Sequence, residues 1–233
     1  MIVEAWLFDT YGTLVDWRAS VRDELAAFGR MRGLARDWDA FLGEWKACYR
    51  PGMEAVNRGE APWTTIEAIY RRRLVELLHA GAITASAEEI EHLTRVWWRL
   101  RPWPDTVAGL RRLKARYVIS PLSNASFAGM VNLAKFASLP WDCVITAEHA
   151  RRYKPHPDVY RTALALLGLD AHEVMMVAAH NYDLAAAQAL GLRTAFVPRP
   201  LEYGPGQRTD LVAEGKWDVV VDSVEELAAA LAC

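Results

Sequence analysis

The sequence has little of what would mark a secreted, membrane-embedded or nucleic-acid-binding chain. Only three cysteines, Cys48, Cys143 and Cys233, occur in 233 residues. They are scattered, odd in number and without CxxC or metal-ligand spacing, which argues against a disulfide framework. An excess of one charge is also missing. With 27 basic and 29 acidic residues, a formal net charge of -2 and no long basic stretch, the footprint of a phosphate-tracking protein is absent. Nucleic acid is therefore not an expected partner. No apolar run approaches the length of a membrane span, so no membrane association is expected. The opening Met1-Ile-Val-Glu-Ala-Trp-Leu-Phe has no basic region and carries Glu4, and reads as a strand rather than a signal peptide. The cytoplasm is the expected compartment.

Apolar and aromatic residues are plentiful. Hydrophobic residues make up 52% of the chain, and 10 Trp stand against 8 Tyr and 6 Phe. A chain this long buries roughly 70% of its unfolded surface and can be stable without disulfides or structural metal. Six tryptophans (Trp17, Trp38, Trp45, Trp63, Trp97 and Trp98) fall between residues 16 and 100, with Trp103 just beyond. Most are expected to form a helical core, and some to face the chemistry as a dry lid.

The apolar run at residues 2–8 ends in Asp9-Thr10-Tyr11-Gly12-Thr13, a buried strand entering a tight glycine loop. From about Asp16 to Leu100 the period is helical, over residues 18–28, 40–48 and 64–79, where Ile66, Ile69, Tyr70, Leu74, Leu77 and Leu78 share a face. Ser86-Ala-Glu-Glu adds a serine N-cap with Glu at N3. No strand is expected in this stretch. Prolines in Arg101-Pro102-Trp103-Pro104-Asp105 break the helical run. Strands at 117–122, 142–146, 174–178, 194–197 and 218–221 then alternate with helices at 127–136, 157–167, 183–190 and 224–231. Such alternation implies a parallel sheet covered on both faces. The expected fold is α/β, a doubly wound parallel-sheet core of residues 1–15 and 101–233 with an all-helical domain of residues 16–100 inserted after the first strand.

Ligands of doubly wound folds bind beyond the carboxyl ends of the strands, so the polar residues there are the candidates. Asp9, Tyr11 and Thr13 follow the first strand, and Ser123-Asn124 follows the second at a turn able to receive an anion. Tyr153-Lys154-Pro155 precedes a helix, and His180-Asn181-Tyr182-Asp183 follows a later strand. Each alone reads as a turn, cap or surface residue. Together they supply a carboxylate nucleophile, an anion cradle, a cation to keep the nucleophile ionised and a second carboxylate as base.

Asp9-Thr10-Tyr11-Gly12-Thr13-Leu14, Ser123-Asn124, Lys154-Pro155 and the segment from Asp183 to Gly191 resemble motifs I to IV of the haloacid dehalogenase superfamily, in order along the whole chain. That superfamily has a Rossmann-like core, and the helical insertion resembles its cap domain. The match is closest to the type II 2-haloacid dehalogenases, through D-x-Y-G-T-L, S-N and Y-K-P-x-x-x-Y, here Tyr153 to Tyr160. Superfamily phosphatases carry an acid two residues after the nucleophile and a Mg²⁺-binding carboxylate before the final motif IV Asp. Tyr11 and Ala178 occupy those positions, leaving too few hard oxygen ligands for Mg²⁺. The resemblance therefore implies an enzyme with no metal and no cofactor.

By resemblance, Asp9 attacks C2 of a small 2-haloalkanoate, an L-2-haloacid or a haloacetate such as fluoroacetate. Water then opens the aspartyl ester and releases the 2-hydroxy acid. Lys154 keeps Asp9 ionised and Thr13 orients it. Ser123, Asn124 and the N–H groups of Thr10 and Tyr11 hold the substrate, with Asn181 and Tyr160 assigned to the same shell. Arg50 meets the leaving halide. Motif IV departs from the usual Ser-Ser-Asn-x-x-Asp, reading Ala178-Ala179-His180-Asn181-Tyr182-Asp183. His180, with Asp183, is expected to orient or deprotonate the hydrolytic water. The resemblance also implies a homodimer. The other readings are a superfamily hydrolase of another small organic acid or phosphate ester, and a binding protein that kept the scaffold. Retention of Asp9, Lys154 and Asp183 together argues against the last.

Overall fold

The segment Ala5–Phe8 forms the first strand, β1, with every residue buried. The structure is a computed structural model in which residues 3–231 are described. Ile2, at the start of the expected strand, and Cys233 lie outside the described residues. Strand β1 is central because it is apolar on both faces. It pairs in parallel with β4 (Val118–Ser123) and β6 (Val174–Ala178). The six-stranded sheet runs β5-β4-β1-β6-β7-β8, with β5 at Ile145–Thr146 leading into the single turn α8 (Ala147–Ala150), β7 at Arg193–Phe196 and β8 at Val219–Val220. The chain builds outward from β1 through β4 to β5, then returns to lay down β6, β7 and β8 on the other side. The reversal falls at β1, so Asp9 leaves the sheet where such folds open a binding crevice.

Side chains of the sheet alternate between two apolar clusters, as the strand period of two requires. Ala5, Leu7, Met176, Ala178 and Phe196 pack beneath α9 (Pro157–Leu167) and α10 (Asn181–Gln188). Trp6, Phe8, Met175, Val177 and Ala195 face the other way. There α6 (Thr106–Lys114), α7 (Phe127–Ala137) and α11 (Val224–Ala230) cover the sheet. Helices α6 and α11 touch at Gly109, where a Cβ would lie 2.6 Å from the Val224 carbonyl. Glycine is what permits that approach.

Between β1 and β4 the chain forms α1 (Trp17–Met31), α2 (Trp38–Lys46), α3 (Tyr49–Asn57), α4 (Ile66–Ala80) and α5 (Ala87–Thr94), then a 3₁₀ turn at Arg95–Trp98. The Ser86/Glu89 capping box is present, as its spacing implies. Buried Trp45, Tyr70, Leu74 and Trp97 of this segment are continuous with the cluster under Trp6 and Phe8. Buried Glu67 on α4 reaches across to α7, accepting the Ser126 hydroxyl at 2.8 Å and the Trp98 indole N–H at 3.2 Å.

The structure departs from the sequence-based expectation in identifiable places. A two-residue antiparallel ribbon, β2 (Val15–Asp16) with β3 (Arg101–Pro102), clasps the two chain crossings where no strand was expected. Its residues have no repeat long enough to read. Helix α3 runs through Pro51, which sits in its first turn, where a missing N–H costs nothing. Helix α6 was hidden because Thr106-Val-Ala-Gly-Leu-Arg-Arg follows two prolines. Among the described residues no helix is long and apolar enough to cross a membrane. Cys48 and Cys143 are free thiols.

Candidate active site

At the carboxyl edge of β1, Asp9 is buried and its two oxygens are held differently. Oδ1 accepts from the Lys154 ammonium at 2.8 Å. Oδ2 accepts from the Thr13 hydroxyl at 2.7 Å and meets His180 Nδ1 at 3.0 Å. Lys154 bridges to Asp183 Oδ2 at 2.5 Å, so one ammonium joins the two carboxylates. Local backbone fixes each piece. Gly12 turns the β1 loop at φ +89°, which brings Thr13 back over Asp9. Lys154 precedes α9 and is anchored by its N–H to Asn124 Oδ1 at 2.8 Å. His180 caps α10, and Asp183 lies in that helix's first turn.

The charges are strongly interdependent. Burial would raise the Asp9 carboxyl, but the Lys154 and His180 cations outweigh it and hold it well below the usual carboxylate range. Burial also opposes charging of Lys154, and the paired carboxylates of Asp183 and Asp9 overcome that and raise it. Asp183 is raised by burial, with Lys154 opposing and the charge of Asp9 adding to the shift. His180 Nε2 contacts Glu202 Oε2 at 2.9 Å. Because both ring nitrogens face carboxylates, which only accept, His180 is an imidazolium. Burial disfavours that charge, and Glu202 with Asp9 still raises it well above the ordinary histidine value.

Asp9, Lys154 and His180 open on a cavity of about 560 Å³. Its far wall comes from the helical segment: Lys46 at the end of α2, and Tyr49, Arg50, Met53 and Asn57 on α3. The Lys46 ammonium lies 3.7 Å from the Tyr49 ring centre and 4.8 Å from that of Trp17, and donates to the Tyr70 hydroxyl at 3.0 Å. Among the described residues no carboxylate pairs with it. Burial pushes it down to about 8.

The expected residues divide into three groups. Asp9, Tyr11, Arg50, Lys154 and His180 line the cavity. Thr10, Thr13, Ser123, Asn124, Tyr160 and Asp183 are buried around them. Tyr160, expected to touch substrate, donates its hydroxyl to Asp183 Oδ1 at 2.5 Å instead. The N–H groups of Thr10 and Tyr11 have no acceptor among the described residues. Register places Thr10 level with Ser123, two positions beyond the Phe8 and Pro121 partners. Asn181 is the exception. Its amide donates to Asp210 and the Val212 carbonyl, and its oxygen accepts from Glu214 and Trp217, so it pins a loop and faces away from the cavity.

Two further expectations are corrected. The carboxylate beside His180 is Glu202, since Asp183 is occupied by Lys154 and Tyr160, and a doubly protonated ring cannot take a proton from water. Among the described residues no tryptophan lines the cavity, whose aromatic wall is Tyr11, Tyr49, Tyr182 and Tyr203. Trp97 stands behind it, stacked on Trp17 and Tyr70, and Trp45 meets both Trp97 and Tyr70 edge-on. The polar ends of Trp17 and Trp45 are taken up within that packing, the Trp17 N–H by Glu202 and the Trp45 N–H by the Tyr70 carbonyl. Lys46 and Glu202 went unread in the sequence, the first as one cation among many on a helix and the second as a loop acid without a motif.

The haloacid dehalogenase-like hydrolase family model matches residues 3–191. The chain belongs to the haloacid dehalogenase-like hydrolases. Among members of known structure, an L-2-haloacid dehalogenase is 44% identical, covers 99% of both chains and superposes with a TM-score of 0.96. A defluorinating L-2-haloacid dehalogenase is 41% identical over 99% of this chain and 96% of its own, also at 0.96. The (S)-2-haloacid dehalogenase of Xanthobacter autotrophicus is 29% identical over 85% of this chain and 76% of its own.

Proposed function

We propose that the protein hydrolyses the carbon–halogen bond of small L-2-haloalkanoic acids and haloacetates, giving 2-hydroxy acids through an ester on Asp9. The observation that carries this is Asp9 itself, a carboxylate kept ionised by Lys154 and His180 and opening on a small cavity with an unpaired ammonium in its far wall. The dehalogenase names of the similar enzymes support the same substrate class. Asp9 attacks C2 in line, the new C–O bond forms, and halide leaves with the electron pair of the C–X bond. The free N–H groups of Thr10 and Tyr11, with Ser123 alongside, take the substrate carboxylate. Lys46 meets the departing halide from the aromatic wall. Exposed Arg50, at the rim, draws in the anionic substrate.

Water then attacks Cγ of the ester, losing a proton to the Asp183 carboxylate, which the Lys154 ammonium ties to Asp9 and whose oxygens each hold a single donor. Halide release from chloroacetate and from both 2-chloropropionate enantiomers, measured with EDTA present, tests the reaction. A single turnover in ¹⁸O water should place the label in Asp9. Label found only in the product, or halide release abolished by EDTA, would refute it. The resemblance adds a homodimer, which sedimentation at several concentrations tests.

A further inference from the structure

A carboxylate has four in-plane lone-pair positions, two on each oxygen. Asp9 Oδ2 has both occupied, by Thr13 at 2.7 Å and His180 at 3.0 Å, whereas Oδ1 has one occupied, by Lys154 at 2.8 Å. The free pair is therefore on Oδ1, and that oxygen is the one able to attack carbon. Once Oδ1 carries the alkyl group, Oδ2 is the ester carbonyl oxygen and already faces two donors. It is also where negative charge collects when water adds to Cγ.

We infer that Glu202 is a positioning residue for the hydrolytic half-reaction, holding the His180 ring against Oδ2 so that His180 and Thr13 form the oxyanion hole of ester breakdown. This rests on the dehalogenase reading and deepens it. In the step, the water oxygen bonds to Cγ as one water proton passes to Asp183, and the carbonyl π pair moves onto Oδ2. Collapse restores the Cγ–Oδ2 double bond and breaks Cγ–Oδ1, and the departing alkoxide takes the second water proton. Asp9 regains its carboxylate with the water oxygen in it, and the proton held by Asp183 goes to solvent. His180 keeps both of its protons throughout. Its N–H faces Oδ2 before, during and after, so no reorganisation is needed when charge develops.

Glu202 is built into this position. It is 2% exposed, and its Oε1 accepts the Trp17 indole N–H at 3.0 Å while Oε2 holds His180. A Cβ on Gly12 would lie 2.1 Å from Oε1, so the nucleophile loop leaves room for this carboxylate. The loop that carries it is tied down by Arg199, bidentate to Asp105 at 2.9 and 2.8 Å and donating to the Thr13 carbonyl at 2.8 Å. The same clamp therefore fixes both donors of the hole. The other groups around His180 are Tyr182, whose ring lies 5.7 Å away, and Lys154 and Asp183 through Asp9.

The test separates the two half-reactions. Glu202→Gln keeps the shape and removes the charge. With (S)-2-chloropropionate in rapid quench, the first equivalent of halide should appear at close to the wild-type rate. Ester breakdown should slow by about tenfold to a hundredfold, short of the ~10²–10³-fold loss for deleting an oxyanion-hole donor. The ester should accumulate as added mass on the peptide containing Asp9, and its decay should fall off at a lower pH than in the wild type as His180 loses its proton. His180→Ala should trap the ester further. The double variant His180→Ala/Glu202→Gln should be no slower than His180→Ala, because Glu202 acts through the ring. Equal slowing of both half-reactions in Glu202→Gln, unchanged ester decay, or additive losses in the double variant would overturn the inference. A wild-type protein that releases no halide would instead remove the dehalogenase reading beneath it.

Discussion

Two lysines face the same cavity and are treated in opposite ways. Lys154, from the loop before α9, sits between Asp9 and Asp183 and is raised because two carboxylates outweigh its burial. Lys46, at the end of α2, lies among the rings of Trp17, Tyr49, Tyr70 and Trp97 with one hydrogen bond to a neutral hydroxyl, and is lowered to about 8. Aromatic faces attract a cation but return less than the hydration it gives up. The sheet edge therefore holds a fixed charge whose partners are already present. The helical wall holds a charge still lacking an anion, which suits a transient halide. Under the proposed reaction, one residue type organises the nucleophile in one place and receives the leaving group in the other.

Breaking the sheet side should have the largest effect. Lys154→Met leaves buried Asp183 without its cation and Asp9 with His180 alone, and should cost on the order of 3–5 kcal/mol in a denaturant titration. Halide release should fall on the order of 10³-fold, since Asp9 loses the charge that keeps it ionised. A variant that is folded and near wild type in rate would show that His180 alone ionises Asp9.

Removing the cation of the helical wall comes next. Lys46→Met should lower the single-turnover rate of halide release by about a hundredfold while leaving ester decay alone. Because Lys46 is cationic below its value of about 8 and neutral above it, halide release in the wild type should decline as pH rises through 8. Lys46→Arg, which stays charged at all these values, should abolish that decline. An alkaline limb identical in wild type and Lys46→Arg would place the titrating group elsewhere. The smallest effect belongs to Arg50→Ala at the rim, roughly a threefold to tenfold rise in KM that shrinks with added salt and leaves kcat unchanged.

Much of the sheet side was legible because each of its pieces is local. The strand Ala5–Phe8 runs directly into the carboxylate and glycine turn of Asp9-Thr10-Tyr11-Gly12-Thr13, and Lys154 and Asp183 sit beside recognisable helix starts. The helical wall was legible only in outline. Its periodicity showed where helices run, but a helix contains many cations, and Arg50 was read where Lys46 lies deeper. Asn181 and Tyr160 were read by position and have their side chains turned elsewhere, because hydrogen-bond partners far along the chain captured them. The tryptophan count correctly indicated a large aromatic core in the insertion, yet tyrosines form the cavity surface in front of it.

The sequence by itself determined the six strands of the sheet, the loop that presents Asp9 and the carboxylates and lysine of Asp9, Lys154 and Asp183 at the sheet edge. These follow from residue period, turn chemistry and short-range spacing, which operate over a few residues at a time. Only the tertiary structure decided which charges meet. Glu202 reaches His180 across 22 positions and Trp17 across 185, and both contacts exist because burial makes an unpaired carboxylate costly enough to select its partners. That packing makes His180 a fixed cation rather than a base, and leaves Lys46 against aromatic rings and one hydroxyl, with no paired carboxylate among the described residues.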